Sequence, residues 1–356
     1  MPLSAIDRLR LFLRPPGRGI YTSSTGGSYA AVLLKQLYGT EVAKDIQSAW
    51  EDSLQRIRRI EGIILGVPSD TGAGILRGSN FGPIGVREAF LSRFGGYPKS
   101  VVDIGDVIVV PQLLHDEMLN ESQLQKTRME LYPGVTEPLP VSPLSVAKGV
   151  LESIYELNPQ AKIYLIGGDH SVTWPAMEYC HNRAGKEFGV VHFDAHTDLM
   201  EQRLGIKYCF STWAAHATKL MNPGHLVQVG LRTSTKTKEY WMEKFPVFQV
   251  WAREVPGHET EVVSGIIQHL LKRGVKELYI SNDIDGTDSG FAPSTGTPEK
   301  NGLSPQFIEM LISALRQKFK LLGGDVVEVA PPLSGGMEFA TEKTCLLAAQ
   351  YLKALL

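Results

Sequence analysis

Three short runs of this sequence concentrate side chains able to hold and activate divalent cations: Asp169-His170, Asp194-Ala195-His196-Thr197-Asp198 and Asn282-Asp283-Ile284-Asp285. In extended chain, residues two apart project to the same side. Asp194, His196 and Asp198 can therefore present three ligands to one cavity, and Asp283 and Asp285 two more. Oxygen and imidazole ligands suit Mn²⁺, and also Zn²⁺, Co²⁺ or Ni²⁺, better than thiophilic metals. The four carboxylates and two neutral imidazoles of His170, Asp194, His196, Asp198, Asp283 and Asp285 nearly balance two divalent ions. A hydroxide held between two such ions is a potent nucleophile at neutral pH. Taken singly, each run has a plainer reading, since an Asp-His pair is usually a cap or turn feature and Asp283 and Asp285 would pass for solvated turn carboxylates. Taken together they do not, because packing five acidic side chains against one another without cations is prohibitively costly.

The segments that precede these runs explain how they would meet. The stretches GIILGVP, KIYLIGG, FGVVHF, LVQVGLR, VFQVWA, ELYISND and KLLGGDVVEV are rich in Val, Ile and Leu without polar alternation, as strands of a sheet buried on both faces require. Between them lie segments of helical period such as SVAKGVLESIYEL, TEVVSGIIQHLLKRG and SPQFIEMLISALRQKF. Alternating strand and helix predicts an α/β fold with a parallel sheet. The carboxyl ends of parallel strands share one edge, so all three clusters converge on one crevice. Residues 111–142 are polar and proline-rich and read as a surface connection with one short helix.

Residues 1–58 read as an N-terminal extension, and residues 59–356 as the catalytic domain. The extension holds a short basic amphipathic stretch, a Gly/Ser/Thr-rich segment from Gly19 to Gly27, and one helix around Ala30 to Arg58.

Composition narrows the partners. Of 356 residues, 43% are hydrophobic and 21% charged, the balance of a soluble globular protein, and no apolar run approaches bilayer length. A net charge of -2 provides no basic field for phosphates, so a small solute is a better partner than nucleic acid or membrane. Cys180, Cys209 and Cys345 are widely spaced, which fits a reducing compartment and a cytoplasmic location. An organelle transit peptide is the alternative for the first twenty residues, which carry four arginines.

The runs GGDHS (167–171), FDAHTD (193–198) and SNDIDGTDSGFAPSTGTPE (281–299) resemble the signature motifs of the ureohydrolases, the arginase and agmatinase family, and the resemblance extends from about Gly62 to the C-terminus. The segment GVPSDTGAGILRGSNFGPIGVRE (66–88) and the run from Ala292 to Pro298 look closer to the agmatinase branch. The resemblance implies a three-layer α/β/α fold with an eight-stranded parallel sheet, assembled into trimeric or hexameric homo-oligomers. It implies two divalent ions per subunit, Mn²⁺ first and Ni²⁺ as the alternative. His170 and Asp198 would hold one ion, His196 and Asp285 the other, and Asp194 and Asp283 would bridge. Within DVVEVAPPLS (325–334), Glu328 falls on the glutamate that grips the guanidinium, and a bidentate carboxylate suits that planar cation. Without the resemblance, Glu328 reads as an ordinary end-of-strand carboxylate.

One stretch departs from the family. Where agmatinases and arginases carry a His-Gly pair thought to shuttle a proton, this sequence reads Tyr208-Cys209-Phe210-Ser211-Thr212-Trp213. Phe210 occupies the histidine's place, which removes a titratable group. Formiminoglutamases of the same superfamily also lack that histidine. His216 reaches the pocket only if the loop turns helical, and a lone histidine there is more often structural. Phe210, Ser211 and Trp213 are the expected substrate contacts, and Phe210, Trp213 and Met200 make the mouth apolar, which argues against arginine as substrate.

The expected activity is hydrolysis of a small guanidino compound to urea plus an amine or ammonia, with Asp198 and Glu328 as catalytic residues. Agmatine ranks first, followed by guanidine, guanidino acids and formiminoglutamate. A silent paralogue acting as an assembly subunit and a single-zinc deacetylase on a related fold are the alternatives from other classes. The complete ligand set argues against the first, and the second would not need both Asp198 and Asp285.

Overall fold

The computed structural model describes residues 2–22, 29–336 and 338–356. The Gly19–Gly27 segment thus lies largely outside the described residues. Among the described residues, nine strands form one sheet: β1 (Leu13–Arg14), β2 (Gly62–Val67), β3 (Val101–Val107), β4 (Lys162–Gly167), β5 (Gly189–Phe193), β6 (Leu226–Leu231), β7 (Val247–Trp251), β8 (Glu277–Asp283) and β9 (Lys320–Val327). Their spatial order is β1-β3-β2-β4-β9-β8-β5-β6-β7. Every pairing is parallel except that of β1 with β3. The sheet is therefore the expected eight parallel strands plus a two-residue antiparallel edge.

Apolar cores lie on both faces, which makes three layers. One face carries the helices Pro143–Leu157 and Thr173–Ala184; the other carries Gly82–Phe94, Glu259–Lys272, Pro305–Lys318 and Lys343–Leu355. All seven strands expected from apolar runs are present. β3 was not among them, because VVDIGDV reads as broken by Asp103, Gly105 and Asp106. A cation from another element makes that strand possible: Arg87, fully buried, donates from Nε to Asp103 at 2.8 Å and from Nη1 to Asp106.

The extension also differs from expectation. The single helix around Ala30 to Arg58 is two, Ala31–Tyr38 and Ala43–Arg56, separated where Gly39 adopts φ 68° and caps the first. A further helix, Ala5–Phe12, opens the described chain, started by Ser4, whose hydroxyl accepts from the Asp7 amide. Leu9, Phe12 and Leu13 are buried in the main core, and the Trp50 indole donates to the Ile104 carbonyl of β3 at 2.8 Å. The described residues 2–22 and 29–58 are thus packed against the sheet's edge. Among the described residues, no helix is long and apolar enough to cross a membrane.

The strand order positions the chemistry. Because β9 and β8 insert between β4 and β5, the four central strands β4-β9-β8-β5 end side by side. They deliver, in that order, His170, Glu328, the Asp283-Asp285 pair and the Asp194–Asp198 run to one edge.

Candidate metal centre

The ligand candidates form two groups that share one carboxylate. His170 Nδ1 lies 3.2 Å from Asp194 Oδ2, 3.3 Å from Asp198 Oδ2 and 3.0 Å from Asp283 Oδ2. His196 Nδ1 lies 3.3 Å from Asp194 Oδ1 and 3.1 Å from Asp285 Oδ2. Asp194 therefore turns one oxygen toward each group. Asp283 faces the first group through Oδ2, while its Oδ1 accepts from the Asp285 amide at 2.9 Å. Of the two carboxylates the resemblance implies as bridges, Asp194 is the one whose oxygens divide between the groups.

The donor chemistry tests whether cations fit. His170 Nε2 is 2.9 Å from Ser281 Oγ, and that hydroxyl donates its one proton to Asp325 Oδ1. In its neutral, metal-binding form the imidazole must then donate from Nε2, leaving a lone pair on Nδ1. Buried and without a hydrogen-bond partner, Nδ1 aims that lone pair at three carboxylate oxygens. Lone pair against anions is repulsive unless a cation sits among them, so the residues fit a divalent ion.

The same carboxylates favour a proton on Nδ1 wherever no metal ion takes its place. Burial pushes His170 down, yet the carboxylates of Asp194, Asp283 and Asp198 outweigh it and hold the imidazole well above its ordinary value. Burial and the charge of Asp194 hold Asp198 well above the usual carboxylate range, and burial and Asp285 do the same for Asp283. The cluster stabilises positive charge strongly.

Backbone and neighbouring side chains hold these ligands in place. Asp198 (φ 51°) and Glu328 (φ 60°) both occupy the left-handed region, a conformation that costs energy for a residue with a side chain and persists where the surroundings impose it. Glu328 is anchored twice, by its amide donating to Gly168 O at 2.8 Å and by its Oε1 accepting from the His170 amide at 2.9 Å. Its Oε2 faces Gly296. Burial and the nearby Asp283 and Asp169 hold Glu328 well above the ordinary glutamate value. Thr297, a residue sequence reasoning passed over, donates its hydroxyl to Asp285 Oδ2 at 2.7 Å.

The loop after β5 departs from its expected role. Trp213 does not line the mouth: it is fully buried, its indole donates to Asp198 Oδ2 at 2.9 Å, and its ring lies 4.8 Å from those of His170 and His192. The reason is that the helix Trp213–Ala217 turns the residue inward beneath the ligands. Ser211 is also buried, its hydroxyl 3.4 Å from Cys209 Sγ. Phe210 alone of the three is half-exposed, next to Gly74 and with its amide donating to Gly72 O. His216 packs against Trp174 and Tyr208 and hydrogen-bonds Lys207 O, away from the ligands, in accord with the structural reading. Trp213→Phe keeps the ring but deletes the bond to Asp198, and should lower Mn²⁺ affinity or turnover by about 10–100-fold. Unchanged turnover and metal content would assign Trp213 to packing alone.

His192, one position before Phe193 on β5, was missed because a histidine inside an apolar strand gives no spacing signal. Its Nε2 lies 2.7 Å from Asp194 Oδ2, and by distance alone it belongs with His170, Asp194 and Asp198 as a possible ligand.

A family model described as the Arginase family matches residues 61–356. A guanidinobutyrase of Pseudomonas aeruginosa is 31% identical to this chain over 83% of it and 86% of its own length. An agmatinase of Halalkalibacterium halodurans is 25% identical over 85% of this chain and 94% of its own. Among solved structures, the proclavaminate amidino hydrolase from Streptomyces clavuligerus superposes with a TM-score of 0.64 at 26% identity, covering 83% of this chain and 90% of that one.

Proposed function

The chain belongs to the arginase family, hydrolases of amidine C–N bonds, and on that premise we propose that it is a binuclear amidinohydrolase releasing urea from a small guanidino compound. The observation that carries this reading is the His170 lone pair held among three carboxylate oxygens beside a second group that shares Asp194. His170, Asp194, Asp198 and Asp283 would hold one ion, and Asp194, His196 and Asp285 the other, Mn²⁺ first and Ni²⁺ as the alternative. When bound, such a pair supplies a nucleophile at neutral pH and polarises the guanidino carbon. Glu328, with Oε2 uncommitted, orients the guanidinium, and Asp198 steers the attacking group.

The agmatinase-like motifs place agmatine first among substrates. A second reading, a guanidino acid, is favoured by Arg203. Its guanidinium lies 5.2 Å from the centre of the Phe210 ring on an exposed turn, where it would attract a carboxylate tail and repel the ammonium of agmatine. Trimeric or hexameric assembly and a cytoplasmic location belong to the same proposal, supported by family resemblance and composition.

The test is urea release from agmatine, 4-guanidinobutyrate and guanidine by protein reconstituted with Mn²⁺ or Ni²⁺. Urea from one of them is the expected outcome; none from any, with two ions bound, would remove the reading. If the tail is anionic, Arg203→Glu should shift the preference toward agmatine by about two- to fivefold, since one solvent-exposed charge contact is worth about 0.2–1 kcal/mol. An unchanged preference would free Arg203 from the substrate.

A further inference from the structure

We propose that His192 is a positioning residue, a hydrogen-bond donor that pins Asp194 between the two metal groups, and that it is not itself a ligand. The proposal rests on the binuclear reading of the site.

At 2.7 Å from Asp194 Oδ2, His192 Nε2 is close enough either to share a cation with that oxygen or to donate a proton to it. The direction of a buried side-chain relay decides between the two. Strands β5, β6 and β7 are neighbours, and their register places His192 opposite Gln228 and Gln228 opposite Gln249. At the far end stands the indole of Trp251, which can only donate, and it does so to Gln249 Oε1 at 3.2 Å. The Gln249 amide nitrogen must then be the end that faces Gln228 Oε1, at 2.9 Å.

That contact turns the Gln228 amide nitrogen toward His192 Nδ1, 3.0 Å away, and toward the Thr197 carbonyl, 2.6 Å away. A carbonyl can only accept, so the orientation of Gln228 is imposed from this side as well. Two independent ends of the relay agree. Nδ1 of His192 must therefore accept, which in a neutral imidazole puts the proton on Nε2, pointing at Asp194 Oδ2. A protonated nitrogen has no lone pair for a metal.

The consequence falls on Asp194. Its Oδ1 accepts from the His196 amide at 2.5 Å and its Oδ2 from His192, so both oxygens are tethered and the carboxylate cannot rotate away from its division between the groups. His192, Gln228 and Gln249 are fully buried, so water does not compete for these bonds. Neighbours that orient a ligating carboxylate are typically worth 10–100-fold in metal affinity.

The experiment uses the full chain, with Mn²⁺ titration, elemental analysis and nitrogen NMR of the imidazoles in the presence and absence of Zn²⁺. His192 should keep its Nε2–H tautomer when Zn²⁺ is bound, and His192→Leu should weaken Mn²⁺ binding by about 10–100-fold. His192→Gln, whose amide nitrogen reaches the place of Nε2, should recover most of that loss. Gln228→Met, which frees the ring to change tautomer, should weaken binding in the same direction, and it carries the test if His192→Leu does not fold. Loss of the Nε2 proton on Zn²⁺ loading would make His192 a ligand and overturn the proposal. So would wild-type affinity in a folded His192→Leu protein. A wild-type chain that takes up no metal would instead remove the binuclear reading on which the proposal stands.

Discussion

Asp194→Asn is expected to abolish urea release and to leave one metal ion per chain or fewer. Asparagine matches aspartate in size, so packing survives, but the site does not. Both aspartate oxygens accept protons, Oδ1 from the His196 amide and Oδ2 from His192, so the new NH₂ must face an N–H donor whichever way the amide turns. The variant also removes the one charge that both groups share. Loss of metal-centred stabilisation amounts to several kcal/mol, which at 1.36 kcal/mol per tenfold corresponds to a fall of about 10³-fold or more in turnover. Metal content and kcat of the pure variant are the measurements. Two retained ions with activity within tenfold of wild type would show that Asp194 does not bridge.

Arg87→Met should produce the largest loss of stability of any single change outside the metal site. Arg87 has no exposed surface, donates twice to Asp103 at 2.8 and 3.0 Å, once to Asp106, and once to Gly105 O at 3.1 Å. Asp106 in turn accepts from the Gly17 amide at 2.7 Å, so the cation ties a helix, the sheet edge and the N-terminal segment together. Methionine fills much of the volume but leaves two buried carboxylates uncompensated. Breaking a buried pair in this way costs about 3–5 kcal/mol, against a total stability on the order of 5–15 kcal/mol. Adding Asp103→Asn and Asp106→Asn to Arg87→Met should recover part of it, because the penalty is unpaired charge rather than lost contact. Urea unfolding reads both, and a single variant within about 1 kcal/mol of wild type would show the network to be dispensable.

Several parts of the molecule were illegible in one dimension for stated reasons. β3 is missing from the strands expected from apolar runs, because the cation that neutralises its carboxylates, Arg87, lies on a helix elsewhere in the chain. The extension reads as an appendage, yet Leu9, Phe12 and Leu13 are core residues because β1 adds to β3. Trp213 reads as a pocket aromatic, whereas its indole holds Asp198 from below.

What the sequence determined by itself was the ligand chemistry. Hard oxygen and imidazole donors spaced two apart at the ends of apolar strands are costly without cations, so residue type and local period suffice to infer a metal site. What only the tertiary structure decided was adjacency and direction. The strand order β4-β9-β8-β5 brings His170, Glu328, Asp283 and Asp194 to one sheet edge. The donor order from Trp251 through two glutamines settles which nitrogen of His192 carries its proton. Neither can be read along the chain, because hydrogen-bond polarity depends on partners that the fold alone brings within 3 Å.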